Sequence, residues 1–319
     1  MLRDPSRSIV ATNESPDLGF AASVNPYRGC SHACAYCYAR PTHEYLGYSA
    51  GLDFETKILV KERAPELLRA KLASRGWQPQ VIAFSGVTDS YQPAERHLEI
   101  TRRCLEVLRD FRNPVAVVTK SWLVTRDIDL LGELAERNSA CVAISITTLD
   151  PTLQRRMEPR ASRPAKRLAA IEALAEADIP VGVMVAPVVP GLTDHEIPAI
   201  VRAAADAGAG FAGKVVLRLP FGLKGLFDEW LSEHYPERRD KVMNRVRALR
   251  GGKLYDSRFG VRQRGTGFFA EQIEELFELS LRRAGLPRRG PSLSTAHFRV
   301  PESACGAGAI ASPQLSLFD

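Results

Sequence analysis

No apolar run in this 319-residue chain approaches the ~20 residues that a membrane-spanning helix requires. The start, Met1-Leu-Arg-Asp-Pro5, lacks the apolar stretch of a secretory signal. Cysteine is scarce, at six residues, which excludes a disulfide-stapled scaffold. No internal repeat is present beyond an alternation of short and long segments. What remains is ordinary: 45% hydrophobic and 25% charged residues, a composition that rules out a collagen or a mostly disordered chain. The expectation is a cytoplasmic enzyme without a membrane partner, its cysteines reduced or bound to metal.

Charge is unevenly placed. Residues 238–299 carry 15 Lys+Arg against 6 Asp+Glu, whereas residues 1–237 carry 28 against 29. A near-neutral body with a basic C-terminal segment suggests an anionic partner, although a solvated helix face would look the same.

Short β-branched runs alternate with amphipathic stretches from residue 80 to 220. Strands are expected near 81–84, 115–118, 142–146, 181–185 and 215–219, with an earlier one near 20–25. Helices are expected near 93–111, 125–137, 164–177 and 195–207. Such βα units build a parallel sheet. Six are too few for a closed eight-stranded barrel, so the expected fold is α/β, a partial (β/α)6 TIM-like barrel. Beyond it, helices near 223–233, 237–249 and 268–284 form a C-terminal extension. The expected organisation is an N-terminal segment (1–19), a core domain (20–222), a basic helical extension (223–299) and a flexible tail (300–319).

Cys30, Cys34 and Cys37 stand in C-x3-C-x2-C spacing on a loop of small residues. Thiolates this dense normally hold a soft metal. Structural zinc would need a fourth ligand, for which His32 or His43 is available. A cubane iron–sulfur cluster would leave one iron open, because no fourth cysteine lies nearby. Cys104 falls at helical spacing with Leu98, Leu105 and Leu108 and reads as core, as does Cys141 in an apolar strand.

With an aromatic residue, Tyr36, before the third cysteine, the motif resembles the signature of radical S-adenosylmethionine (SAM) enzymes, whose fold is also a six-unit partial barrel. The resemblance spans roughly residues 20–220. It implies a 4Fe–4S cluster on three cysteines, with S-adenosyl-L-methionine chelating the open iron. It also implies an electron donor such as flavodoxin or ferredoxin. Reductive cleavage of the sulfonium then yields a radical that abstracts hydrogen from substrate, while the protein orients and shields it. Mapped onto the strand ends, the resemblance assigns SAM contacts to Tyr36, Ser85, Thr88, Asp89, Lys120, Ser145, Arg160, Ala186 and Leu219. Lys120 is placed to pair with the methionine carboxylate.

Asn25-Pro-Tyr-Arg-Gly-Cys30, Thr88-Asp-Ser-Tyr-Gln-Pro-Ala-Glu95, Val118-Thr-Lys-Ser121 and Glu158-Pro-Arg160 resemble the spore photoproduct lyase-like branch. They match relatives of the lyase rather than the lyase itself. The lyase returns hydrogen from a cysteine near the end of the second strand, and here Phe84-Ser85-Gly86-Val87 has none. Two substrates follow: a nucleic acid under repair or modification, favoured by the basic segment and by Phe259, Phe268 and Phe269 among its arginines, or a small molecule or protein. A zinc-binding adaptor is the non-enzymatic alternative. Finally, Gln314, Leu315, Leu317 and Phe318 resemble the peptide by which bacterial polymerases and repair proteins dock on the sliding clamp.

Overall fold

The computed structural model describes residues 1–302. Cys305 and the motif formed by Gln314, Leu315, Leu317 and Phe318 lie outside the described residues. In chain order the strands are β1 (Leu2–Arg3), β2 (Val10–Thr12), β3 (Ala22–Val24), β4 (Tyr27–Arg28), β5 (Leu59–Val60), β6 (Ile82–Phe84), β7 (Val115–Thr119), β8 (Ala140–Ser145), β9 (Val181–Val188) and β10 (Phe211–Val216). The helices are α1 (Leu52–Thr56), α2 (Ala64–Ala73), α3 (Glu95–Leu98), α4 (Ile100–Phe111), α5 (Ile128–Ala135), α6 (Pro151–Met157), α7 (Pro164–Glu176), α8 (Ile197–Asp206), α9 (Leu223–His234), α10 (Pro236–Ala248) and α11 (Phe268–Ala284).

One sheet runs β10-β9-β8-β7-β6-β3-β2, and only β2, paired with β3, is antiparallel. The six parallel strands, with helices between them, are the expected (β/α)6 partial barrel. Val, Ile and Ala dominate these strands because both faces are covered, one by helices and one by the barrel interior. In α4, Ile100, Cys104, Leu105, Leu108 and Phe111 form one buried stripe, each large side chain contributing about 1.5–3 kcal/mol on burial. Cys104 is core, as its spacing indicated. Cys141 lies on β8 and is only half-buried. Close packing sets residue size between the last strands: a Cβ on Gly182 would lie 2.5 Å from the Phe211 ring.

Three departures have physical causes. The helix expected at 93–111 is broken at Glu99, which takes a left-handed φ of 50°. The buried Glu95 carboxylate turns back and accepts from the amides of Thr101 (3.0 Å) and Arg102 (3.3 Å), so it caps α4 from within the chain. The sixth strand occupies 211–216 rather than 215–219. Gly213 hides its β signal; the Met184 thioether packs into the space beside it, 2.6 Å from where a Cβ would stand. The third departure is a small sheet, β1-β5-β4, whose two-residue strands are too short to show a period.

The C-terminal extension completes the barrel rather than standing apart. α9 and α10 bring Phe227, Trp230, Val242 and Met243 into one buried cluster with Cys34 and Tyr36. The loop before α11 lies along the free edge of β10, where Val216 N donates to the Gln263 carbonyl (2.8 Å). It is latched to the N-terminal segment by Arg262 Nε on Asp17 Oδ2 (2.6 Å) and Gly260 N on Asp17 Oδ1 (2.7 Å).

Candidate active site

The cysteine loop is held from every side. Gly29 precedes Cys30 with φ +80°, and a Cβ there would sit 2.8 Å from the Phe54 carbonyl oxygen. That oxygen instead accepts from Cys30 N at 2.9 Å. Only glycine combines this φ with this approach. The buried Arg40 donates from Nε to the Cys34 carbonyl (3.0 Å) and from Nη1 to the Gly51 carbonyl (2.8 Å). Gln92 Oε1 accepts from Ser31 N (2.9 Å) while its Nε2 donates to the Gly29 carbonyl (3.2 Å). On the outside, Ala35 N donates to the Met157 carbonyl (2.9 Å).

The loop presents Cys30, Cys34 and Cys37 as free thiols to a cavity of about 350 Å³ at the C-terminal strand ends. Burial raises the Cys34 thiol well above its ordinary value and takes Cys37 to about 11, so only a bound cation would keep them ionised. The two candidate histidine ligands are held differently: His32 lines the cavity between Asp89 and Cys30, whereas His43 lies outside it and keeps its buried Nδ1 without a hydrogen-bond partner among the described residues. His32 Nδ1 lies 3.4 Å from Asp89 Oδ2, and His43 Nε2 lies 3.0 Å from the Lys57 carbonyl. Among the described residues no three Cys, His, Asp or Glu side chains converge on one ion. Three thiols on the edge of a cavity, without a fourth protein ligand, fit a multi-iron cluster in which each takes its own iron. They fit a four-coordinate zinc site poorly.

Of the residues assigned from sequence, Tyr36, Ser85, Thr88, Asp89, Lys120, Ser145 and Ala186 line this cavity with the three cysteines. Their roles divide. Asp89 is fully committed: it accepts from Thr119 Oγ1 (2.7 Å) and Lys120 N (2.8 Å) and faces His32. Burial opposes its charge, but His32 and these donors prevail and hold it at about 2. Burial likewise works against charge on His32, but Cys30 and Asp89 lift it to about 10. Thr88 Oγ1 donates to the Tyr27 carbonyl (2.7 Å), and Ser85 Oγ accepts from Ser90 N (2.9 Å), so both shape the turn after β6. Lys120 is different. Its ammonium forms no ion pair among the described residues and stands 5.9 Å from the Tyr36 ring centre.

Two assigned residues lie elsewhere. Leu219 is three residues past the end of β10, buried in the apolar cluster with Leu223 and Phe227. Arg160 is outside the cavity, on the back of the cysteine loop, with Nε on the Ser31 carbonyl and Nη2 on Glu55 (2.6 Å). The earlier end of the sixth strand, at Val216, explains the first, and the turn at Pro159 that carries the arginine outward explains the second.

Sequence reasoning missed the support behind Tyr36. Its hydroxyl donates to Glu158, which also accepts from Thr147 Oγ1 (2.8 Å) and pairs with Arg167. Arg167, 1% exposed, further donates to the carbonyls of Ser145 (2.9 Å) and Ser162 (2.7 Å). The signal was present, because Arg167 falls on the buried stripe of α7 with Pro164, Ile171 and Leu174. Arg218 was also missed. It lines the same cavity, its guanidinium 4.3 Å from the Tyr38 ring centre, with no ion pair among the described residues. Tyr38 is pinned by its hydroxyl donating to the Gly86 carbonyl (2.8 Å).

Comparison with known proteins agrees with this geometry. Residues 24–204 match the Radical SAM superfamily. An uncharacterized protein of Mycobacterium tuberculosis is 38% identical over 244 residues, 75% of this chain and 71% of the relative. One of Methanocaldococcus jannaschii is 29% identical over 223 residues, 70% and 80% of the two chains. A mutant spore photoproduct lyase with bound AdoMet and dinucleoside spore photoproduct superposes with a TM-score of 0.60 at 15% identity, over 88% of this chain and 78% of that one. The fold is therefore that of the lyase, and the chain belongs to the radical SAM superfamily.

Proposed function

We propose that Cys30, Cys34 and Cys37 hold a 4Fe–4S cluster, that S-adenosylmethionine binds beside it, and that the substrate is a nucleic acid whose base enters the cavity. When bound, cluster and cofactor supply one electron and a carbon radical able to remove a substrate hydrogen atom. The chain's own residues bind and orient. Lys120 offers an unpaired charge to a carboxylate. Tyr36 is fixed by the Glu158–Arg167 pair, and the apolar walls from Met184, Val215 and Val216 exclude water. Phe84-Ser85-Gly86-Val87 lines the cavity after β6 and carries no thiol, so the hydrogen donor of the lyase has no counterpart at that position.

The substrate reading is carried by the cavity rim. Tyr38, 43% exposed, and Val87, 39% exposed, present apolar surface there. Arg218 lies over the Tyr38 ring with no ion pair among the described residues, its charge felt by Asp17, which lines the same cavity. An aromatic platform beside an unpaired guanidinium suits a stacked base and its phosphate. The basic segment itself contributes less than its count suggests. Arg239, Arg245, Arg258, Arg262 and Arg288 are spent on Asp228, Asp194, Asp256, Asp17 and Glu274. Phe259 sits beside the latch with Arg262 at 4.6 Å, whereas Phe268 and Phe269 open α11. From sequence alone we also propose that the tail motif docks the enzyme on a sliding clamp, bringing it to DNA.

The test is fluorescence anisotropy of a labelled single-stranded 12-mer with reconstituted protein at two salt concentrations. Binding that weakens with salt, and weakens a further ~5- to 150-fold in Tyr38→Ala from a lost stack of ~1–3 kcal/mol, supports the proposal. Absence of binding at tens of micromolar, or an unaffected Tyr38→Ala, transfers the site to a small-molecule or protein substrate.

A further inference from the structure

We infer that the groove between α10 and α11 is a dimer interface whose occupant is a second copy of this chain. The inference is independent of the cluster and substrate readings above. The groove has a volume of about 850 Å³. Its floor is the turn leaving β9, where Gly191 takes φ +83° and a Cβ would stand 3.2 Å from Arg245 Cδ. One wall is the basic side of α10, with Arg238, Lys241 and Arg245 at i, i+3 and i+7. The other is α11, which lines the groove with Ile273 and Leu276.

Helix α11 packs against α8 and buries Ala270, Phe277 and Leu281. One stripe is left uncovered. Phe268, Gln272, Glu275 and Leu279 stand at i, i+4, i+7 and i+11, so they share a face, and all four are exposed, Phe268 at 68%. A large apolar side chain at each end of the stripe marks a contact surface rather than a solvated face. The stripe is also its own complement. Antiparallel packing of two such helices about a two-fold axis midway between Gln272 and Glu275 sets each Phe268 against the partner's Leu279. The same packing sets each Gln272 amide beside the partner's Glu275 carboxylate, so every contact occurs twice.

Charge points to the same occupant. Lys241 on one wall and Glu275 on the other form no ion pair among the described residues, with each other or with a neighbour. Arg238 reaches only the adjacent Glu237, at 4.0 Å. Arg245, by contrast, is paired with Asp194 (2.9 Å) and seated over the Phe269 ring (5.0 Å). The two-fold arrangement brings each Glu275 to the mouth of the other copy's groove, where the long side chains of Arg238 and Lys241 lack a close acid. Cations on one wall and a carboxylate on the other fit a copy of the same surface better than a polyanion, which Glu275 repels.

The test is sedimentation velocity of the full chain in low salt, from roughly one to a hundred micromolar, with the 35.1 kDa monomer as reference. The wild-type chain should pass from monomer to dimer within that range. Arg238→Glu with Lys241→Glu, and separately Glu275→Lys, should each raise the dimer Kd at least tenfold, with far-ultraviolet circular dichroism unchanged. Mixing the two charge variants restores opposite charges across the axis at both contacts. The mixture should therefore form a heterodimer at lower concentration than either variant dimerises alone, a recovery that a merely structural role for these side chains does not give. Phe268→Ala with Leu279→Ala should weaken the dimer with no change of charge. A wild-type chain that stays monomeric at the highest concentration overturns the inference, as does a mixture of the charge variants that stays monomeric. Weaker oligonucleotide binding by Arg238→Glu with Lys241→Glu, alongside a monomeric wild type, gives the groove to nucleic acid and equally overturns it.

Discussion

Replacing Glu158 with glutamine keeps the side chain's shape and removes its charge. Glu158 is fully buried and Arg167 is 1% exposed, so the guanidinium would be left with no counter-charge. Breaking one partner of such a pair costs about 3–5 kcal/mol. With an unfolding entropy of ~2.1 cal/mol/K per residue, a chain of 319 residues loses about 5–7 °C in Tm. Thermal unfolding followed by circular dichroism measures this. Glu158→Leu combined with Arg167→Met removes both charges and should recover most of the loss. The pH dependence has a definite sign. Burial works against the Glu158 carboxylate, but Arg167 and Lys120 hold its pKa below the ordinary value. Its contribution is then present above the unfolded value of ~4.5 and fades as pH falls through the lower folded value, so wild type and Glu158→Gln should converge in acid. A Glu158→Gln protein within 1 °C of wild type, or a double variant no better than the single, would refute the reasoning.

Other expectations are independent of that pair. Lys120→Ala should weaken S-adenosylmethionine binding roughly ten- to hundredfold, the equivalent of ~1.5–3 kcal/mol for a charge-assisted bond, with iron content unchanged; calorimetry and iron assay check both. Gly29→Ala forces a Cβ into the left-handed region and against the Phe54 carbonyl, where conformation alone costs ~1–2 kcal/mol. It should lower Tm and iron incorporation together, while Gly76→Ala, with nothing within 4 Å, should change neither. A fluorescent 310–319 peptide should bind purified sliding clamp at micromolar concentration and lose binding with Leu317→Ala plus Phe318→Ala; no binding at tens of micromolar clamp rejects the tail motif.

The parts of this molecule written in local pattern were legible from sequence. The strand runs Val115–Thr119 and Val181–Val188 are rich in valine, and the cysteine spacing is a short-range feature. What could not be read depends on contacts distant in sequence. Glu95 breaks a helix because it caps the next one and takes the Tyr27 hydroxyl, 68 residues away. Arg160 belongs to a motif with Glu158 yet points outward to Glu55, while Glu158, two residues before it, turns inward to Arg167. Arg218 carries no local signal, because its place depends on Tyr38, far from it in sequence, being brought beneath its guanidinium. The loop before α11 carries no periodicity, and its role in closing the free edge of β10 appears only when Asp17 meets Arg262.

Elemental analysis of the cysteine variants tests the central claim most directly. Anaerobically reconstituted wild-type chain should contain about four irons and four acid-labile sulfides with a brown absorption band. Cys30→Ala, Cys34→Ala and Cys37→Ala should each lose the band and all S-adenosylmethionine cleavage, while Cys104→Ala, buried beneath α4's apolar stripe, should keep both. One tightly held zinc per chain in place of iron, or a single motif variant that retains a full cluster and still cleaves the cofactor, would contradict the account.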